Sequence, residues 1–128
     1  MTEPVWADAD VVYRIHEMQI AEHGGLAGVR DPGLVESALA RPKQQLTYGE
    51  PDLAALAAAY AAGLCRTQGF VEGNKRTAFV TGEVFLRANG LRTQATQAEV
   101  VAAVESLADH SISEAAYANW LRAHTAPL

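Results

Sequence analysis

A chain of 128 residues holds one ordinary domain, and 49% apolar with 20% charged residues excludes global disorder. The formal charge of -5 excludes a general polyanion binder, because a phosphate-reading surface needs a surplus of Lys and Arg. One cysteine, Cys65, excludes an internal disulfide framework and a zinc cluster.

The longest uncharged apolar run, Leu53 to Cys65, is shorter than the roughly 20 residues that cross a bilayer. The acidic start lacks a basic segment followed by an apolar one, so a cytoplasmic protein with a reduced thiol and no membrane contact is expected.

Helical punctuation dominates, and no strand with sustained alternation is found. A first helix is predicted from Asp8 or Asp10 to His23, with Val11, Val12, Ile15 and Met18 as its apolar stripe and Gly24-Gly25 as its stop. Asp31 caps a second helix with Pro32 at its first position, and Pro42 is expected to end it. Asp52 caps a third, alanine-rich helix carrying Leu53, Leu56, Tyr60 and Leu64 at helical spacing.

A fourth helix is predicted from near Asn74 to Asn89-Gly90. Apolar residues run most of the way round it, which places it at the centre of the fold. Gly63 and Gly82 each cost a helix interior about 1 kcal/mol, and close approach of the third and fourth helices would explain both. Thr96 to Glu99 is a capping box opening a fifth helix. Ser113 caps a sixth, with Ile112 and Tyr117 as its staple. Trp6 and Trp120 are expected as lids on the core, and Cys65 as a buried structural thiol. The reading is all-α, one bundle of about six helices over residues 1–128.

Polar chemistry concentrates in Gln68-Gly69-Phe70-Val71-Glu72-Gly73-Asn74-Lys75-Arg76-Thr77, where a loop becomes a helix. A helix start offers unpaired N–H groups and about half a positive charge, a prepared seat for phosphate. Gly73 permits close backbone approach to an anion, and Asn74, Lys75 and Arg76 add donors. Two cations at a helix start oppose the macrodipole, a local misfit that an anion would relieve. Glu72 offers one hard oxygen ligand to Mg²⁺, which takes the rest from phosphate and water. A phosphate with a metal suggests a nucleotide.

Phe70 to Ala78 resembles the signature of the Fic/Doc superfamily, H-x-F-x-[D/E]-[G/A]-N-[K/G]-R, and Lys75 matches its Doc branch. The resemblance extends through Ile15-His16, His23-Gly24-Gly25-Leu26, Arg30-Asp31-Pro32-Gly33-Leu34, Tyr48-Gly49, and Phe85-Leu86 through Asn89-Gly90. It implies the helical Fido fold and transfer of a phosphate-containing group from a nucleotide to a protein hydroxyl. In the Doc branch this is a kinase-type step from Mg-ATP to a threonine of elongation factor Tu, which halts translation. In most other members the group is AMP.

By the same resemblance Glu72 would hold Mg²⁺, Gly73, Asn74 and Lys75 would cradle the phosphate, and Arg76 would stabilise charge during transfer. Phe70 would be the peg that fixes the loop. A cognate antitoxin would order a segment into a groove near the first helices and the active site.

The departure is Gln68, which stands where the family has its general-base histidine, with Gly69 following where proline is common. An amide cannot hold an extra proton near pH 7. The sequence therefore supports the nucleotide seat better than turnover, and a non-catalytic module binding nucleotide or antitoxin is the alternative. His16, His23, His110 and His124 lie outside the signature and are expected to be surface or structural.

Overall fold

Side-chain caps set most of the helix starts. In the computed structural model, which describes residues 3–128, six helices follow in chain order: α1 Ala9–His23, α2 Pro32–Tyr48, α3 Leu53–Thr67, α4 Asn74–Ala88, α5 Gln97–Ala108 and α6 Glu114–Ala123. Asp8, Asp31, Asp52, Thr96 and Ser113 each accept an N–H in the first turn of their helix, satisfying donors that the helix itself leaves orphaned. The reciprocal box of Thr96 and Glu99 is present.

The enclosed element is α3, whose residues are buried almost without interruption from Ala54 to Cys65 and which touches α2, α4, α5 and α6. Alanine makes this possible, since a narrow helix lets neighbours approach on every side. The fourth helix, expected at the centre, packs along α3 through Ala78, Gly82, Phe85 and Leu86, while Phe79 and Val80 stay half-buried toward a cleft. Tyr60 and Phe85 meet between the two helices, with centroids 5.2 Å apart. Trp6 covers this cluster by stacking on Phe85, and Trp120 stacks between Tyr117 and His124.

Four further expectations are corrected. The second helix does not end at Pro42 but continues to Tyr48 with the proline inside it. Proline removes one backbone bond, and tertiary anchors hold the segment on both sides of it. Arg41 donates to the Ala59 carbonyl and pairs with Glu114 at 2.5 Å, while Gln45 donates to the same carboxylate. Two short strands exist: β1 Leu91–Thr93 pairs antiparallel with β2 Thr125–Pro127, and three residues are too few for alternation to register.

The α1 stripe is narrower than predicted. Val12 and Ile15 are buried, whereas Val11 and Met18 are exposed, because α1 lies over the bundle along one line only. Gly63 faces α2, where an added Cβ would lie 3.0 Å from that of Ala38. Gly82 alone serves the approach of α3 and α4, over Ala57.

Asp52 does two jobs. It caps α3 through the Ala55 N–H and holds Arg122 of α6 by two hydrogen bonds of 2.7 and 2.9 Å. The bond from Arg122 is the largest influence lowering its carboxyl below the ordinary aspartate value. A folded-state pKa below the unfolded one gives stability that is complete at neutral pH and lost as pH falls through the folded value. Both side chains are about half exposed, so the pair contributes less than about 1 kcal/mol. Arg122→Ala is expected to flatten the acid limb. Urea midpoints measured at pH 7 and pH 3 should differ less in the variant than in the parent.

Candidate functional site

The loop between α3 and α4 is shaped by contacts with the stretch from Gly28 to Val35. Gln68 ends α3 in the left-handed region, at φ 53° and ψ 51°. Gly69 then passes so close to α2 that a Cβ would lie 2.6 Å from Val35 Cγ2, which leaves no room for any side chain. Its carbonyl accepts the N–H groups of Arg30 and Asp31 at 2.8 and 2.9 Å. The Arg30 side chain donates to the Gln68 and Thr67 carbonyls, so the exposed end of α3 is also satisfied. Val71 N–H reaches the Gly28 carbonyl, next to an isolated antiparallel bridge between Val29 and Phe70.

Phe70 turns inward and is 1% exposed. Its ring stacks on His16 at 3.9 Å between centroids and meets the edge of Tyr13. Asn74 clamps it from behind, accepting the Phe70 N–H and donating to the Phe70 carbonyl, both at 3.0 Å. The Asn74 side chain is thereby committed to the loop, and what it can offer a ligand is its backbone N–H. Gly73, at φ 80°, is the N-cap of α4 and gives no side-chain cap. Of the six helices described, this one alone begins without a capping side chain, and its first N–H groups remain orphaned.

That end opens into a cleft of about 890 Å³ lined by Gln68, Glu72, Gly73, Asn74, Lys75 and Arg76 together. One end of α1 contributes Gln19, Glu22 and His23, and α5 contributes Val100, Val101, Val104 and Glu105 as the opposite wall. The Arg76 guanidinium donates to the Gly24 carbonyl at 3.0 Å, which ties α4 to the turn after α1 and leaves its other N–H groups for a ligand. Glu72 is exposed. Among the described residues its carboxylate makes no hydrogen bond or ion pair, and it lies over Gly25, where a Cβ would come within 3.3 Å of Oε2.

No group of three His, Cys, Asp or Glu among the described residues is arranged to hold a metal ion. One free carboxylate beside orphaned N–H groups fits a cation such as Mg²⁺ that completes its shell with phosphate oxygens and water.

Cys65 reaches the floor of the cleft but is 2% exposed, and burial pushes its thiol up to about 11. The thiolate is the reactive form, so alkylation by iodoacetamide at pH 8 is expected to track global unfolding. Mass-spectrometric labelling with and without urea checks this. The charged and apolar walls from α1 and α5 were missed at the level of sequence, because exposed residues far from the signature carry no periodic signal. No helix among the described residues is long and apolar enough to cross a membrane.

Over 79 residues the chain is 37% identical to the protein kinase Doc of Escherichia phage P1, covering 61% of this chain and 63% of that protein. Over 75 residues it is 44% identical to the toxin Doc of Mycolicibacterium smegmatis, covering 56% of this chain and 57% of that protein. The chain thus spans less than two thirds of the length of either relative. The Fic/DOC family model matches residues 6–86, from just before α1 to near the end of α4. Both the loop and the helix turns that brace it fall inside this stretch, and the chain belongs to the Fic/DOC family.

Proposed function

We propose that this protein is a Doc-type toxin of a toxin–antitoxin pair, acting in the cytoplasm. It seats the terminal phosphate of Mg-ATP at the start of α4 and directs phosphoryl transfer to a hydroxyl of a translation factor of the elongation factor Tu type. The observation that carries the reading is the uncapped N-terminus of α4 at Gly73, opening into the same cleft as an unpartnered Glu72 carboxylate. A helix end without its own cap has donors and partial positive charge to give to an anion.

In this reading the backbone of Gly73, Asn74 and Lys75 receives the phosphate oxygens, and the Lys75 ammonium adds charge. Arg76 opposes the charge that grows during transfer, already held in place through Gly24. Bound at Glu72, Mg²⁺ would neutralise part of the phosphate charge.

Gln68 favours a second reading. Its amide lines the cleft where a base is needed and cannot accept the proton of the target hydroxyl. A chain that binds nucleotide and a cognate antitoxin without turning over is therefore the alternative. Transfer of AMP is a third outcome, separated by the label it leaves.

Calorimetry with Mg-ATP tests the seat, with expected losses of about tenfold or more in affinity for Lys75→Ala and for Glu72→Gln in the presence of magnesium. Incubation with γ-labelled and α-labelled ATP and elongation factor Tu then separates kinase action from AMP transfer. No uptake of Mg-ATP by the parent and by Gln68→His would end the reading.

A further inference from the structure

We infer that His16, on α1 and outside the signature, is a positioning residue that locks the Glu72–Gly73 peptide in the orientation the phosphate seat requires. The inference rests on the reading of the α4 start as that seat. His16 is 4% exposed, and its ring lies parallel to Phe70, 11° between planes and 3.9 Å between centroids. Its Nε2 sits 2.8 Å from the Glu72 carbonyl oxygen. A carbonyl oxygen brings no proton, so Nε2 carries it and donates.

The peptide bond is planar and trans, so its C=O and N–H point in opposite directions. Pinning the Glu72 oxygen toward α1 therefore turns the Gly73 N–H away from α1. Such a lock is needed because Gly73 sits at φ 80° without a Cβ, the residue type for which a rotated peptide costs least. Phe70 is held by Asn74 and Val71 by Gly28, but no other group among the described residues bonds the Glu72 carbonyl. A residue needed only to fill this space would be leucine or phenylalanine. An imidazole N–H buried here has this one partner, and without it both polar groups would be left unpaired.

Two variants separate positioning from filling. His16→Phe keeps an aromatic ring against Phe70 and removes the donor, whereas His16→Gln places an amide N–H where Nε2 stood. In the ligand-free protein, the backbone order parameter of the Gly73 amide is expected to fall from the rigid range of about 0.85 to below about 0.6 in His16→Phe and to stay rigid in His16→Gln. Affinity for Mg-ATP is expected to follow the same order, with both variants melting cooperatively.

An unchanged Gly73 order parameter in His16→Phe, or an equal fall in both variants, overturns the inference whether or not nucleotide binds. The expected split between the two variants, together with a parent that takes up no Mg-ATP, removes the phosphate reading and leaves His16 as a lock on the loop alone.

Discussion

Gln68→His is expected to raise phosphoryl transfer to the target hydroxyl by about 10² to 10⁴-fold, the usual contribution of a positioned general base and about 3–5.5 kcal/mol of barrier. Backbone geometry favours the exchange, because position 68 is left-handed at φ 53°, and histidine is among the residues that visit this region more readily than most. The glutamine side chain lines the same cleft as Glu72 and Lys75, so a ring at this position reaches the same space. Affinity for Mg-ATP and the melting temperature should stay close to those of the parent, since neither depends on a proton acceptor. Single-turnover transfer of the γ-label gives the ratio. An unchanged rate with intact nucleotide binding would show that proton removal is not what limits this chain.

Phe70→Ala is expected to cost about 3–5 kcal/mol in urea unfolding, the range for truncating a buried aromatic ring. The side chain is 1% exposed and packs against His16 and Tyr13 of α1, so its loss opens a cavity under the loop. Single domains have only about 5–15 kcal/mol to lose, which leaves the variant marginal at 37 °C. Phe70→Leu keeps most of the volume and should cost far less. If Phe70→Ala costs under about 1 kcal/mol, the loop is not pegged by this ring.

Helix starts were legible because a cap is a local device: Asp31, Asp52, Thr96 and Ser113 announce themselves within three residues of their partners. The continuation of α2 through Pro42 was not, since its support comes from Glu114, more than sixty residues away in sequence. The same distance effect limited the site. Glycine, asparagine and two cations at a loop–helix junction can be read as a candidate seat from residue types alone, and the structure brings Gln68, Glu72, Gly73, Asn74, Lys75 and Arg76 to one cleft.

That the Asn74 side chain is spent on Phe70, and that His16 reaches Glu72, depends on how the chain returns on itself. Gly63 shows the limit in small: the need for a small residue was visible, but its neighbour was α2 and not α4.

The bond between His16 and Glu72 spans 56 positions of sequence. A nascent chain emerging from the ribosome therefore completes this brace only after the segment beyond α3 has left the exit tunnel and folded back on α1. Truncated products of interrupted synthesis that stop short of residue 72 lack this brace altogether.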